Sequence, residues 1–96
     1  MKKDSERSLK EVLEEWMKQF YMRQGNNEWL IKDAWPRLFG PTIARHTTLL
    51  RLSKRTLYVV VDSAPLRQEL HIAREKIRTT LNAEIKDNFL EEVVIR

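Results

Sequence analysis

Ninety-six residues, 42% of them apolar and with only two glycines and three prolines, make one domain with a single core rather than a disordered chain. The absence of cysteine excludes a disulfide framework, thiolate metal sites and a thiol nucleophile, and it fits a reducing cytoplasm. The net charge of +4 is concentrated, because residues 45–78 hold eight basic and three acidic side chains, the footprint expected of a polyanion binder.

The opening residues MKKDSERSLKEVLEEW lack the apolar run of a signal peptide, and no segment approaches the roughly 20 apolar residues a membrane span needs. A first helix is predicted from about Ser8 to Arg23, with residues 1–7 expected to be disordered ahead of it. Ser8 and Glu11 have the spacing of a capping box. Leu9, Val12, Leu13, Trp16 and Phe20 give that helix one apolar face, expected to be buried. Gly25 stops it, and Asn27 is the expected cap of a second helix from about Glu28 to Phe39. Ile31, Ala34, Trp35 and Leu38 form its stripe, and Pro36 should kink or restart it. Thr42 to His46 adds a further helical turn after Gly40-Pro41.

Residues 47–62 change to a period of two. Leu50, Leu52, Leu57, Val59 and Val61 alternate with more polar neighbours, as in an antiparallel hairpin. Its turn, Ser53-Lys54-Arg55-Thr56, lacks the glycine of a tight primed turn, so a four-residue type I connection is expected. Ser63 caps a third helix with Pro65 in its first turn. Leu66, Leu70, Ala73, Ile77 and Leu81 form the stripe of that helix, which Asn82 to Asn88 closes. Leu90 to Ile95 reads as a final strand. The order α-α-β-β-α-β describes one α+β domain over residues 1–96, with helices packed on one face of a three-stranded sheet.

The residues for catalysis are missing. Ser63 has no glycine around it to permit a nucleophile elbow, and capping accounts for it. His46 and His71 have no metal-ligand spacing, and two glycines cannot build a phosphate loop. No catalytic residue, metal site, cofactor or small-molecule substrate is therefore expected, and the chain reads as a non-enzyme.

Binding chemistry is better represented. Arg67, His71, Arg74 and Arg78 recur at steps of 4, 3 and 4, a positive row bordering the apolar stripe of the third helix. Glu69 and Glu75 are the acidic residues that could instead pair with it. Arg51, Lys54, Arg55 and Tyr58 belong to the hairpin. An aromatic among arginines either stacks a nucleic-acid base or packs against the sheet. Trp29 lies off the stripe of its helix and is the candidate for an exposed partner-binding ring.

The order of residues carries a resemblance. Trp35, Gly40, Ile43-Ala44 and His46-Thr47 lead into Leu57-x-Val59-x-Val61, then Ser63, Leu66, Glu69-Leu70, Leu81-Asn82 and a terminal Val-Val-Ile-Arg. Over about residues 28–96 this resembles the DciA family. The resemblance implies a KH-like domain that acts with the bacterial replicative helicase and DNA in helicase loading or activity, in the cytoplasm at the nucleoid. The chain departs from that pattern in lacking a glycine in the hairpin turn and a GxxG loop, so a KH-type clamp on four nucleotides is not carried over. Many relatives have an additional disordered tail, and no tail-dependent activity is expected of a chain ending at its last strand. Two other readings stay open: a KH-like RNA-binding protein such as a ribosome-assembly factor, and a pure protein adaptor.

Overall fold

The computed structural model of the chain describes the backbone of residues 2–23 and 25–96, and the side chains of residues 8–20 and 25–96. Its elements are α1 (Lys2–Arg23), α2 (Asn27–Phe39), α3 (Pro41–His46), β1 (Thr47–Ser53), β2 (Thr56–Val61), α4 (Ala64–Ile72), α5 (Arg74–Ile85) and β3 (Glu92–Ile95). The architecture is α+β as expected. The sheet order is β1-β2-β3, with β1 antiparallel and β3 parallel to the central strand.

Alternation along the strands fixes which face is covered. Leu57, Val59 and Val61 on β2 and Val93 and Ile95 on β3 are buried, while their neighbours are not. The helices supply the other half of this core through Leu30, Ile31, Trp35, Leu70, Ile77, Leu81 and Ile85. Trp35 is fully packed, and its indole N–H donates to Thr47 Oγ1 at 3.0 Å. Thr47 in turn donates to the carbonyl of Ile43 at 2.7 Å. This relay ties α2 to the joint between α3 and β1. Gly40, at φ 93°, makes the sharp passage from α2 into α3, a conformation that favours glycine.

The loop between α5 and β3 is closed from within. Asn82, the buried polar residue of the core, donates to the Leu90 carbonyl at 3.1 Å and accepts from the Leu90 amide at 2.9 Å. Lys86, in the left-handed conformation at φ 55°, ends α5. The amides of Lys86 and Asp87 return to the carbonyls of Ala83 and Asn82, the Schellman pattern with lysine in the usual place of glycine.

Several local expectations change. Helix α1 begins before Ser8, so Ser8 and Glu11 lie inside a helix and form no capping box. The backbone of residues 2–7, where disorder was expected, continues α1, and Met1 lies outside the described residues. Leu9, Val12, Leu13, Trp16 and Phe20 are exposed rather than buried. The cap of α2 is Asn26, whose Oδ1 accepts from the Trp29 amide at 3.0 Å, one residue before the predicted Asn27. The same helix passes through Pro36 without restarting, and Pro36 lies on its exposed side. Ser53 and Thr56 are paired, which leaves a two-residue hairpin turn in which Lys54 takes φ 56°. The predicted third helix is two helices, broken at Ala73. Leu90 precedes β3 rather than belonging to it.

A three-way ion cluster holds α1 to the body. Glu84 on α5 accepts from Lys18 and Arg37, each at 3.0 Å. The Lys18 hydrogen bond, then that of Arg37, keeps the Glu84 carboxyl below its ordinary pKa against the opposing effect of burial. A depressed carboxylate contributes stability above its unfolded pKa and loses it as pH falls through the folded value. Acidification below the usual carboxylate range should therefore weaken wild-type protein more than Glu84→Gln, measured as urea midpoints against pH. Asn82→Ala leaves the Leu90 amide buried without a partner and its carbonyl with the Arg78 bond alone, and chemical denaturation should show a loss of about 2 kcal/mol.

Candidate nucleic-acid interface

Strand parity sends every second residue to the face that no buried position occupies. On β1 these are Leu49, Arg51 and Ser53, on β2 Thr56, Tyr58 and Val60, and on β3 Glu92 and Val94. Arg51 stands opposite Tyr58, and Val94 flanks Tyr58 on the other side. The ladder continues past β3, because the Arg96 amide donates to the Val59 carbonyl at 2.7 Å and its carbonyl accepts from Val61 at 2.9 Å. That pairing sets the Arg96 guanidinium over the Tyr58 ring, 5.2 Å from its centroid. Tyr58 is half-buried and Leu49 is exposed, so an aromatic ring between two arginines sits in a partly apolar, uncovered surface.

The other predicted basic residues are dispersed. Arg51, Lys54 and Arg96 have no carboxylate within ion-pair distance among the described residues. Lys54 is exposed at the hairpin tip. Arg55 turns back, donating to the carbonyls of Phe89 at 3.0 Å and Asn88 at 3.3 Å, stacking on Phe89 and pairing with Glu91. Arg67 donates to the Val61 carbonyl at 3.1 Å. The break at Ala73 puts Arg67 and His71 on α4 and Arg74 and Arg78 on α5, so the four do not form a row along one helix. Arg74 donates to the His71 carbonyl at 2.7 Å. Arg78 donates to Glu75 at 3.0 Å and to the Leu90 carbonyl at 3.3 Å. Trp29 is half-buried against the core rather than exposed.

Two features escaped sequence reasoning. Arg96 joins Tyr58 only because β3 is parallel and in register with β2, although its place after Val-Val-Ile is a sign that it continues the strand. His46 Nδ1 lies 2.8 Å from Asp62 Oδ1, and the Asp62 amide donates to the His46 carbonyl at 3.0 Å. This pair closes the open end of the hairpin. Among the described residues no group of three or more His, Cys, Asp or Glu could hold a metal ion. No described helix is long and apolar enough to cross a membrane.

The fold and this surface define a small α+β domain with one sheet face packed by helices and the other left basic and aromatic. The family model described as "Dna[CI] antecedent, DciA" matches residues 8–95. The chain belongs to the DciA family, a helicase-loader family. Comparison with curated proteins gives no match, and comparison with solved structures gives none.

The split between structural and free arginines is measurable. Arg78→Ala should lower stability by about 1 kcal/mol, since it removes the second donor to the Leu90 carbonyl together with the Glu75 contact. Arg51→Ala should stay within about 0.5 kcal/mol of wild type. Urea denaturation of the two variants tests the assignment.

Proposed function

We propose that this chain is a non-enzymatic replication accessory protein that engages the bacterial replicative helicase and carries DNA across the open face of its sheet. The observation that supports this most is the placement of Tyr58 between Arg51 and Arg96 on an uncovered surface. A phenol ring can stack a base of a single strand, while the flanking guanidiniums meet the phosphates on either side. Lys54 at the hairpin tip extends the same charge. The ring's existing cation contact orients Arg96 without neutralising it, so its charge remains available to an anion. The family supports the helicase half of the reading. Such a protein works in the cytoplasm, at the nucleoid, and needs no cofactor.

Arg67, His71 and Arg74 remain secondary contacts in this reading. Arg55 and Arg78 act first as braces of the α5–β3 loop. Binding should be weakly sequence-selective and should fall steeply with salt, since phosphate contacts release counterions.

Fluorescence anisotropy with matched single-stranded DNA, duplex DNA and single-stranded RNA tests the assignment. Arg51→Ala, Tyr58→Ala and Arg96→Ala combined should reduce single-stranded DNA affinity about tenfold or more and flatten the salt dependence. An unchanged affinity in that variant, with loss in Arg67→Ala/Arg74→Ala/Arg78→Ala, would move the contact to the helices. A clear preference for structured RNA would replace the replication reading with an RNA-binding one. A nuclease-treated pull-down should recover the replicative helicase; recovery of ribosomal particles in its place counts against the proposal.

A further inference from the structure

Strand β1 is an edge of the sheet, and its outward backbone groups can be traced from the bonds of its neighbours. On β2 the Val59 carbonyl and the Val61 amide bond to Arg96, so Tyr58 and Val60 turn their backbone groups toward β1. Their partners Arg51 and Leu49 close the hairpin ladder, and Leu50 and Leu52 face away from it. The Leu52 amide shows this directly, since it donates to Glu28 Oε1 on α2 at 3.2 Å. That carboxylate oxygen stands where the carbonyl of a further strand would stand. The Leu50 amide and carbonyl have no such substitute, and they meet no partner among the described residues. The opposite edge differs, because Val93 and Ile95, the outward residues of β3, are buried.

A groove of about 340 Å³ runs along this edge, with Lys32, Pro36 and Ala44 on one side and Thr48, Leu49 and Leu50 on the other. Leu50 offers one donor and one acceptor, and an extended polypeptide returns one of each at strand spacing. A phosphate backbone has acceptors only. The charge beside the groove selects further. Strand β1 and its turn contain Arg51, Lys54 and Arg55 and no acidic residue. Arg51 and Lys54 have no ion-pair partner among the described residues. Glu28 is already matched by Lys32 at 3.1 Å. The Lys32 hydrogen bond, then that of the Leu52 amide, hold its carboxyl below the ordinary pKa, and the Arg51 charge adds to them. We propose that an extended acidic segment of a partner protein adds antiparallel to β1. Its central residue exchanges both backbone hydrogen bonds with Leu50. An acidic residue before it faces Arg51, and an apolar residue after it covers the exposed Leu49. An antiparallel second copy would instead bring its own α2 to the same side of the sheet, across the same groove. The edge is recognised through backbone groups, so the inference does not rest on the nucleic-acid reading of the open face, although both draw on Arg51.

A short blocked peptide with glutamate before a central valine and a second valine after it provides the test. It is titrated into the full chain without nucleic acid while backbone amide shifts are recorded. Shifts should concentrate on residues 48–52, and solvent exchange of the Leu50 amide should slow about fivefold or more at saturation. N-methylation of the central valine removes the donor to Leu50 and should weaken binding about fivefold or more. N-methylation of the following valine, whose N–H points away from β1, should leave affinity within about twofold. Lysine in place of the glutamate should weaken binding to wild type about threefold or more, and that peptide should prefer Arg51→Glu to wild type. Equal loss from both methylations, or loss from neither, overturns backbone pairing with β1. Equal affinity of the glutamate and lysine peptides for wild type overturns the choice of an acidic segment. Sedimentation showing a dimer of the chain alone, with the Leu50 amide already protected, overturns the proposal in favour of a second copy.

Discussion

The hydrogen bond from the Trp35 indole to Thr47 decides how the two halves of the domain meet. A ring of that size contributes much of the core, but burial of its N–H without an acceptor would cost about as much as a hydrogen bond is worth. Thr47 is the first residue of β1, and its hydroxyl is itself anchored on Ile43 of α3. One chain of two bonds therefore sets α2, α3 and the first strand against each other. The hairpin inherits its position from that joint, and β2 then templates β3 and Arg96. The residues that made the family legible are mostly these architectural ones. Trp35, Gly40, Thr47 and Asn82 identify the chain because the fold needs them, and none of the four lies on the open sheet face.

Periodicity read the core well and read the edges poorly, for definite reasons. Leu66, Leu70, Ala73, Ile77 and Leu81 keep helical spacing through the break at Ala73, and no glycine or proline marks it. Pattern alone cannot see an interruption that preserves phase. The α1 stripe has equally sound helical spacing, yet periodicity reports only that a helix has two sides, not which one meets the domain. The hairpin turn was misjudged because a left-handed lysine at position 54 replaces the expected glycine. Asn26 and Asn27 are adjacent and chemically identical candidates, so the cap was legible only to within one residue.

The arginines show a different limit. Charge counting located the basic third of the chain, but Arg55, Arg67, Arg74 and Arg78 spend donors on backbone carbonyls. Carbonyl acceptors carry no signature in a sequence, so a structural arginine and a free one look alike there. The surface that results is unequal: a basic, aromatic sheet face and a helix α1 with an exposed apolar ridge.

The three indoles also lie at three depths, and that gives the molecule its own optical reporters. Trp35 is sealed in the core, Trp29 is half-shielded beside the α1–α2 groove, and Trp16 stands in water. Emission from a sealed indole lies to the blue of emission from a solvated one, and only the latter is open to a soluble quencher. A single protein without labels can therefore separate loss of its core from a change confined to its first helix.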